Sequence, residues 1–252
     1  MYVLASVSSV SPVVESLTSL AVKILLVGHG KMGRMVESLA KEYDCEVAGV
    51  IDDQSPAHGG GPDADRWKGV DVAVDFTTPD AVMTNAPVLA KRGIHLIIGT
   101  TGWSQHEKAL RQIVADAGVG IVVAPNFSTG VVLFEAIAAR AAQLFAPHTD
   151  FGAFLHEAHH AAKKDAPSGT ALSLKRAMEQ SGFPRPIDVS SARAGFIPGT
   201  HTIGFDGPAE TITLSHAARD RTAFARGALT AARWVQGKRG WYTMKDVLGV
   251  QS

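Results

Sequence analysis

From Val22 onward the chain repeats one texture: a short apolar run, a turn of glycines or small polar residues, an amphipathic stretch, then the next apolar run. That order marks βαβ units around a parallel sheet, whose strands are buried on both faces and so read as unbroken hydrophobic runs. It predicts strands over Val22–Val27, Glu46–Ile51, Val70–Phe76, His95–Gly99 and Gly120–Ala124, with helices over Met32–Tyr43, Pro79–Arg92 and Ser104–Ala117. After Asn126 the texture changes. One long Ala-rich helix is expected over Ser128–Phe145, then a strand over Asp150–His156 and a helix over Ser168–Gln180. Ile187–Ala192, Gly199–Phe205 and Glu210–His216 read as antiparallel strands separated by Gly and Pro. A helix over Ala223–Gln236 and a turn at Met244–Leu248 return to the first half. The expected fold class is α/β: a Rossmann-type doubly wound parallel sheet plus a second α+β domain with a mixed or antiparallel sheet. Residues 21–127 with 222–252 form one expected domain, and 128–221 the other.

Composition narrows the class without changing it. With 252 residues, 46% of them hydrophobic and 19% charged, the chain can bury a sizeable core. Formal net charge is zero, so there is no basic field of the kind nucleic acid or an anionic membrane surface requires, and any anion site must be local. The single cysteine, Cys45, excludes an intramolecular disulfide and suits a reducing compartment, so a cytoplasmic location is expected. Met1–Leu20 is rich in Ser and Val and carries one charge, Glu15. It lacks the positive start of a secretory signal and the arginines of a transit peptide, and is expected to be a disordered extension. No stretch is apolar for the length of a membrane span.

The strongest nucleotide signal is Gly28-His29-Gly30-Lys31-Met32-Gly33, which follows a predicted strand and opens a predicted helix, with Asp52 ending the next strand. The glycines permit a tight turn, close approach of backbone to a diphosphate, and close helix-to-strand packing. The diphosphate would meet free N–H groups at the positive end of the helix dipole. Asp52 suits the ribose hydroxyls of NADH. Because Asp53 follows it, a 2′-phosphate would meet two negative charges, and NADH is the expected cofactor. Lys31 or Arg34 keeps NADPH open. The loops Gly99-Thr100-Thr101 and Ala124-Pro125-Asn126-Phe127 fall at the carboxyl ends of predicted strands, where open α/β sheets bind ligands.

A second cluster spans 156–171. His156-Glu157-Ala158-His159-His160 matches the H-E-x-x-H pattern of zinc peptidases. Against that reading, the segment ends a predicted strand, Pro167-Ser168-Gly169 interrupts any helix, and no third ligand follows at the usual spacing; no metal is expected. The other reading takes His159, His160 and Lys163 as groups that give a proton and hold an anion. Ser168, Gly169 and Thr170, at the start of the next helix, would cradle a carboxylate with N–H and hydroxyl groups.

Glu157-Ala158-His159-His160-x-x-Lys163-x-Asp165-Ala166-Pro167-Ser168-Gly169-Thr170-Ala171 resembles the signature of the 4-hydroxy-tetrahydrodipicolinate reductase family. The resemblance extends over about 22–248, through Asp75-Phe76-Thr77, Asn126-Phe127-Ser128, Arg193-Ala194-Gly195 and Arg221-Thr222-x-Phe224. It implies NAD(P)H-dependent reduction of a cyclic imine-type dicarboxylate, with loss of water, in lysine and diaminopimelate synthesis. By the same resemblance His159 is the acid/base, Lys163 the proton donor, and His160, Gly169 and Thr170 hold substrate carboxylate. Residues 28–33, Asp52, 99–101 and 124–127 hold the nucleotide, and the assembly is a homotetramer built through the substrate domains. Two features depart from the family: a glycine loop one residue shorter than in many members, and Asp53 where a basic residue often stands. The competing classes are a zinc peptidase, a dinucleotide sensor without redox activity, and a Rossmann reductase of another small imine or oxo acid.

Overall fold

The computed structural model describes residues 21–250, so the extension expected at 1–20 lies outside the described residues. The chain begins with β1 (Val22–Val27), α1 (Lys31–Leu39), β2 (Cys45–Ile51), β3 (Val72–Asp75), α2 (Pro79–Lys91), β4 (His95–Ile98), α3 (Glu107–Ala117) and β5 (Gly120–Val123). The second half runs α4 (Thr129–Phe145), β6 (Gly152–His159), α5 (Gly169–Gln180), β7 (Ile187–Arg193), β8 (Thr200–Asp206) and β9 (Thr211–Ala217). It closes with α6 (Thr222–Trp234), β10 (Gly240–Tyr242) and α7 (Met244–Leu248).

The first sheet is six-stranded and wholly parallel, in the order β10-β5-β4-β3-β1-β2. Its strands alternate between two cores. Ile24, Leu26, Val72, Val74, Ile97 and Val122 face α1 and α6, while Leu25, Val27, Ala73, Leu96, Ile98 and Ile121 face α2 and α3. Burial on both sides is why these strands read as continuous apolar runs. The chain passes from β1 to β2 on one side of β1 and to β3 on the other. The carboxyl ends of β1 and β3 therefore flank the point where strand order reverses, the place where open α/β sheets leave a crevice. The crossover from β2 to β3 carries no α-helix; instead the fully buried Trp67 packs into the sheet's second core, its indole N–H donating to the Gly61 carbonyl at 2.7 Å.

The second sheet has four strands in the order β7-β6-β8-β9. Its inner face (Ala153, Leu155, Ile187, Ile203, Phe205) packs on α4 and α5 through Phe134, Ala138, Leu174 and Met178. The structure corrects two details of the sequence reading. β7 pairs with β6 in parallel, so the sheet is mixed; antiparallel pairing holds for β6–β8 and β8–β9. β10, absent from the sequence reading, extends the first sheet beyond β5. The first correction follows from α5, which carries the chain back over the sheet so that β7 re-enters in the direction of β6. Among the described residues no helix is long and apolar enough to cross a membrane.

Candidate active site

At the end of β1, Gly28 takes φ +90°, a conformation open mainly to glycine, and backs onto the Phe76 carbonyl, 2.7 Å from where a Cβ would stand. A Cβ on Gly33 would overlap the Gly28 carbonyl oxygen, so glycine there is what lets α1 start close under the turn. Helix α1 begins at Gly30 with no side-chain cap and no acid in its first turn, which leaves its N–H groups for a ligand. Asp52, at the end of β2, accepts the His29 backbone N–H at 2.6 Å and the Gln54 N–H at 3.0 Å. The His29 bond, more than any other contact, holds the Asp52 carboxyl below its ordinary range. The His29 ring bridges Ser55 and Glu37 at 2.8 Å each, and Arg34 donates to the His29 carbonyl at 3.0 Å.

Further along the same carboxyl edge, the buried Asp75 accepts from Thr77 and Thr100, and burial raises its pKa. The Thr100 hydroxyl is thus occupied inside the protein. Phe127 is buried, edge-on to Phe76, so its side chain serves packing. A cleft of about 1350 Å³ opens beyond these residues. From the sheet edge it is lined by Thr101, Ala124, Pro125 and Asn126, and from the second half by His159, His160, Lys163, Ser168, Gly169 and Thr170. Asn126 Nδ2 reaches Thr170 Oγ1 at 3.5 Å, so the two halves meet at this point. Gly28, His29, Gly30, Lys31, Met32, Gly33, Asp52, Gly99, Thr100 and Phe127 do not line the cleft. The glycine turn lies farther along the sheet edge, and Met35 of α1 reaches the cleft from that side.

The histidine segment is built by β6, which continues to His159 instead of stopping at His156. Strand alternation sends His156 outward, where Nδ1 meets Ser190 Oγ at 2.9 Å, and sends Glu157 and His159 inward. This geometry does not support the H-E-x-x-H reading, because His156 and Glu157 face opposite sides of a sheet. Glu157 is fully buried. Its Oε1 accepts from the Ser168 N–H at 2.9 Å, Ser191 Oγ at 2.7 Å and Arg193 Nη2 at 2.7 Å. Burial pushes its pKa up, but hydrogen bonds from Ser168, its hydroxyl foremost, and from Arg193 and Ser191 outweigh it and hold the carboxyl down at about 2. Burial lowers the pKa of His159, an effect that Glu157 opposes and Lys163 and Arg193 reinforce. His201 faces the same carboxylate from β8 and is pushed down to about 4, chiefly by burial.

Lys163 Nζ grips both carboxylate oxygens of Asp165 at 2.7 and 3.0 Å, and this holds the Asp165 pKa down, with a smaller contribution from the Gly169 N–H. An exposed carboxylate thus sits between the amine and the start of α5. Ser168 is the N-cap of α5: its Oγ accepts the Ala171 N–H at 3.2 Å and meets His201 Nε2 at 3.2 Å. Its hydroxyl is therefore committed, which leaves Gly169 and Thr170 as the open part of the cradle. Sequence reasoning missed the Glu157–Arg193–His201 network. The i, i+2 spacing of Glu157 and His159 would have put those two on one face, had the strand been extended to 159; Arg193 and His201 join them only through strand pairing.

Comparison with known proteins agrees with this architecture. The family described as dihydrodipicolinate reductase, N-terminus, matches residues 22–127, and dihydrodipicolinate reductase, C-terminus, matches 130–248. A 4-hydroxy-tetrahydrodipicolinate reductase of Rhodopseudomonas palustris (strain TIE-1) is 44% identical over 218 residues, 77% of this chain and 79% of that protein. The one from Methanospirillum hungatei JF-1 is 36% identical over 255 residues, 91% and 99% of the two. Among solved structures, dipicolinate-bound dihydrodipicolinate reductase from Paenisporosarcina sp. TG-14 superposes with a TM-score of 0.74 at 23% identity, covering 89% of this chain and 98% of that one. With both halves matched end to end and curated relatives well above 30% identity, this chain belongs to the dihydrodipicolinate reductase family.

Proposed function

We propose that this protein is an NAD(P)H-dependent oxidoreductase that reduces 4-hydroxy-tetrahydrodipicolinate to tetrahydrodipicolinate, with loss of water, in lysine and diaminopimelate biosynthesis. The observation that carries the proposal is the shared cleft: carboxyl-edge residues Thr101 and Ala124–Asn126 face His159, Lys163, Gly169 and Thr170 across one cavity. Residues 21–127 with 222–252 are assigned to the nucleotide and 128–221 to the substrate. The uncapped start of α1 and the close packing of Gly28 against Gly33 fit a dinucleotide diphosphate, and Asp52 fits a ribose. The bound nicotinamide supplies the hydride.

The chain's own residues do the rest. Gly169 and Thr170, at the positive end of α5, hold one substrate carboxylate, with His160 beside it. On substrate binding the Lys163 amine exchanges its Asp165 partner for a substrate carboxylate, and from that position its ammonium gives the proton that balances the charge left by hydride addition. His159, whose pKa burial depresses, faces the substrate as the acid/base group.

NADH is the preferred cofactor in this proposal. Asp52 is already bound to the loop, exposed Asp53 adds a second negative charge, and Arg34, the nearby guanidinium, is tied to the His29 carbonyl. The assembly is a homotetramer acting in the cytoplasm. The open face of the second sheet, with Ile212 exposed on β9, supports association through that half. The test follows NADH absorbance with the unstable product of the preceding pathway enzyme supplied fresh. Substrate-dependent oxidation is expected, and its absence overturns the reading. A higher kcat/KM with NADPH than with NADH overturns the cofactor preference.

A further inference from the structure

We propose that Glu157 is a positioning residue for the reduction: its unbonded carboxylate oxygen selects the Nδ1–H tautomer of His159, so that Nε2 exchanges the proton at the cleft. The inference rests on the reductase reading for its consequence, but not for its geometry.

Oε1 of Glu157 is saturated by Ser168, Ser191 and Arg193, whereas Oε2 is buried and, among the described residues, without a hydrogen-bond partner. Two ring nitrogens approach it: His159 Nδ1 at 3.4 Å and His201 Nε2 at 3.6 Å. The Ser168 hydroxyl at 3.2 Å already serves His201 Nε2, while His159 Nδ1 is itself buried and has no hydrogen-bond partner among the described residues. A buried donor and a buried acceptor that each lack any other partner belong to one another. At 3.4 Å the contact is longer than a formed hydrogen bond, and the proposed role requires it to tighten in the working complex. His159 lines the cleft, and with Nδ1 buried the nitrogen left to exchange a proton there is Nε2, which stands beside Gly199.

The charges around His159 explain why a carboxylate is needed. From β7 comes Arg193, from the loop after β6 Lys163 and Asp165, and from β8 the His201 ring, 5.1 Å from that of His159 between centroids. Arg193 and Lys163 disfavour the imidazolium, and Glu157 is the buried anion that opposes them. The ligand-type atoms of Glu157, His159 and His201 lie within 4.8 Å of one another, but Arg193 already supplies the positive charge this carboxylate requires. The three are therefore a hydrogen-bonding group, not an ion cage. The same carboxylate grips the Ser168 N–H at the head of α5, so one side chain sets both the acid/base ring and the helix start that cradles the substrate.

Two experiments test this. In long-range 1H–15N spectra of the 15N-histidine-labelled enzyme without substrate, with the signal assigned by its loss in His159→Asn, neutral His159 should carry its proton on Nδ1. A proton on Nε2 overturns the proposal, whether or not the enzyme turns over. Glu157→Gln keeps an acceptor for Ser168, Ser191 and Arg193 but turns an N–H₂ toward Nδ1. The tautomer should flip, kcat should fall about 10²-fold, the KM for NADH should stay, and the imidazole limb of the kcat profile should move to lower pH. Ser191→Ala, which touches only Oε1, should leave that limb in place. A folded Glu157→Gln protein with wild-type turnover and an unmoved limb overturns the proposal, and if that variant fails to fold, the wild-type spectrum decides. A wild-type enzyme with the Nδ1–H tautomer but no NADH oxidation would refute the reductase reading alone.

Discussion

Replacing Gly33 by alanine should damage cofactor binding and stability together, whereas the same change at Gly30 should spare stability. The added Cβ at position 33 overlaps the Gly28 carbonyl oxygen and lies 3.0 Å from its carbon. The turn cannot retreat, because Gly28 is itself backed by the Phe76 carbonyl and Thr77. Helix α1 must move instead, and it carries the buried Val36 and Leu39 of the first core. Overpacking of this kind costs about 1–3 kcal/mol, which lowers Tm by roughly 2–4 °C for each kcal/mol in a protein of this size. If the displaced helix start loses one charge-assisted hydrogen bond to the diphosphate, about 1.5–3 kcal/mol, NADH binds about 10- to 150-fold more weakly. Gly30, by contrast, has φ −73° and nothing within 4 Å of the point where a Cβ would stand, so Gly30→Ala should melt like wild type. Thermal unfolding by circular dichroism and NADH titration by fluorescence check both. A Gly33→Ala protein with wild-type Tm and affinity would refute the claim that close helix-to-turn packing builds this site.

Lys163→Met keeps the length of the side chain while removing its amine; turnover should fall about 10²- to 10⁴-fold with NADH affinity unchanged in the same titration, and near-normal turnover would remove Lys163 from the mechanism. His201 makes stability depend on pH. Its folded pKa of about 4 lies below the ordinary 6.5, so between these values the unfolded chain binds a proton that the native protein does not, and stability falls as pH drops through that window. His201→Gln should flatten the dependence of Tm on pH between about 6.5 and 4; an unchanged slope would show that the loss arises elsewhere.

Local pattern alone determined most of the first half: β1, β2, β4, β5 and α2 stand within a residue or two of the runs that predict them, since burial on both faces makes such strands read as unbroken apolar runs. Helix α1 ends at Leu39 and α3 starts at Glu107, inside their expected bounds. The glycine turn and the Glu157–Ala171 segment were legible for a similar reason: their residue types are tied to backbone conformation and to short-range chemistry. What the tertiary structure decided was neighbour and register. That β7 runs parallel to β6, and that β10 joins β5, depends on where the intervening helices carry the chain, which no local periodicity encodes. Ending β6 at His156 concealed that Glu157 and His159 share its inner face. Only the register of β6 against β8, which sets Glu157 opposite His201, and against β7, which sets His159 opposite Arg193, reveals the buried carboxylate between two imidazoles. Side chains dozens of residues apart become one electrostatic unit when strand pairing removes the water between them, and that is a property of the folded chain.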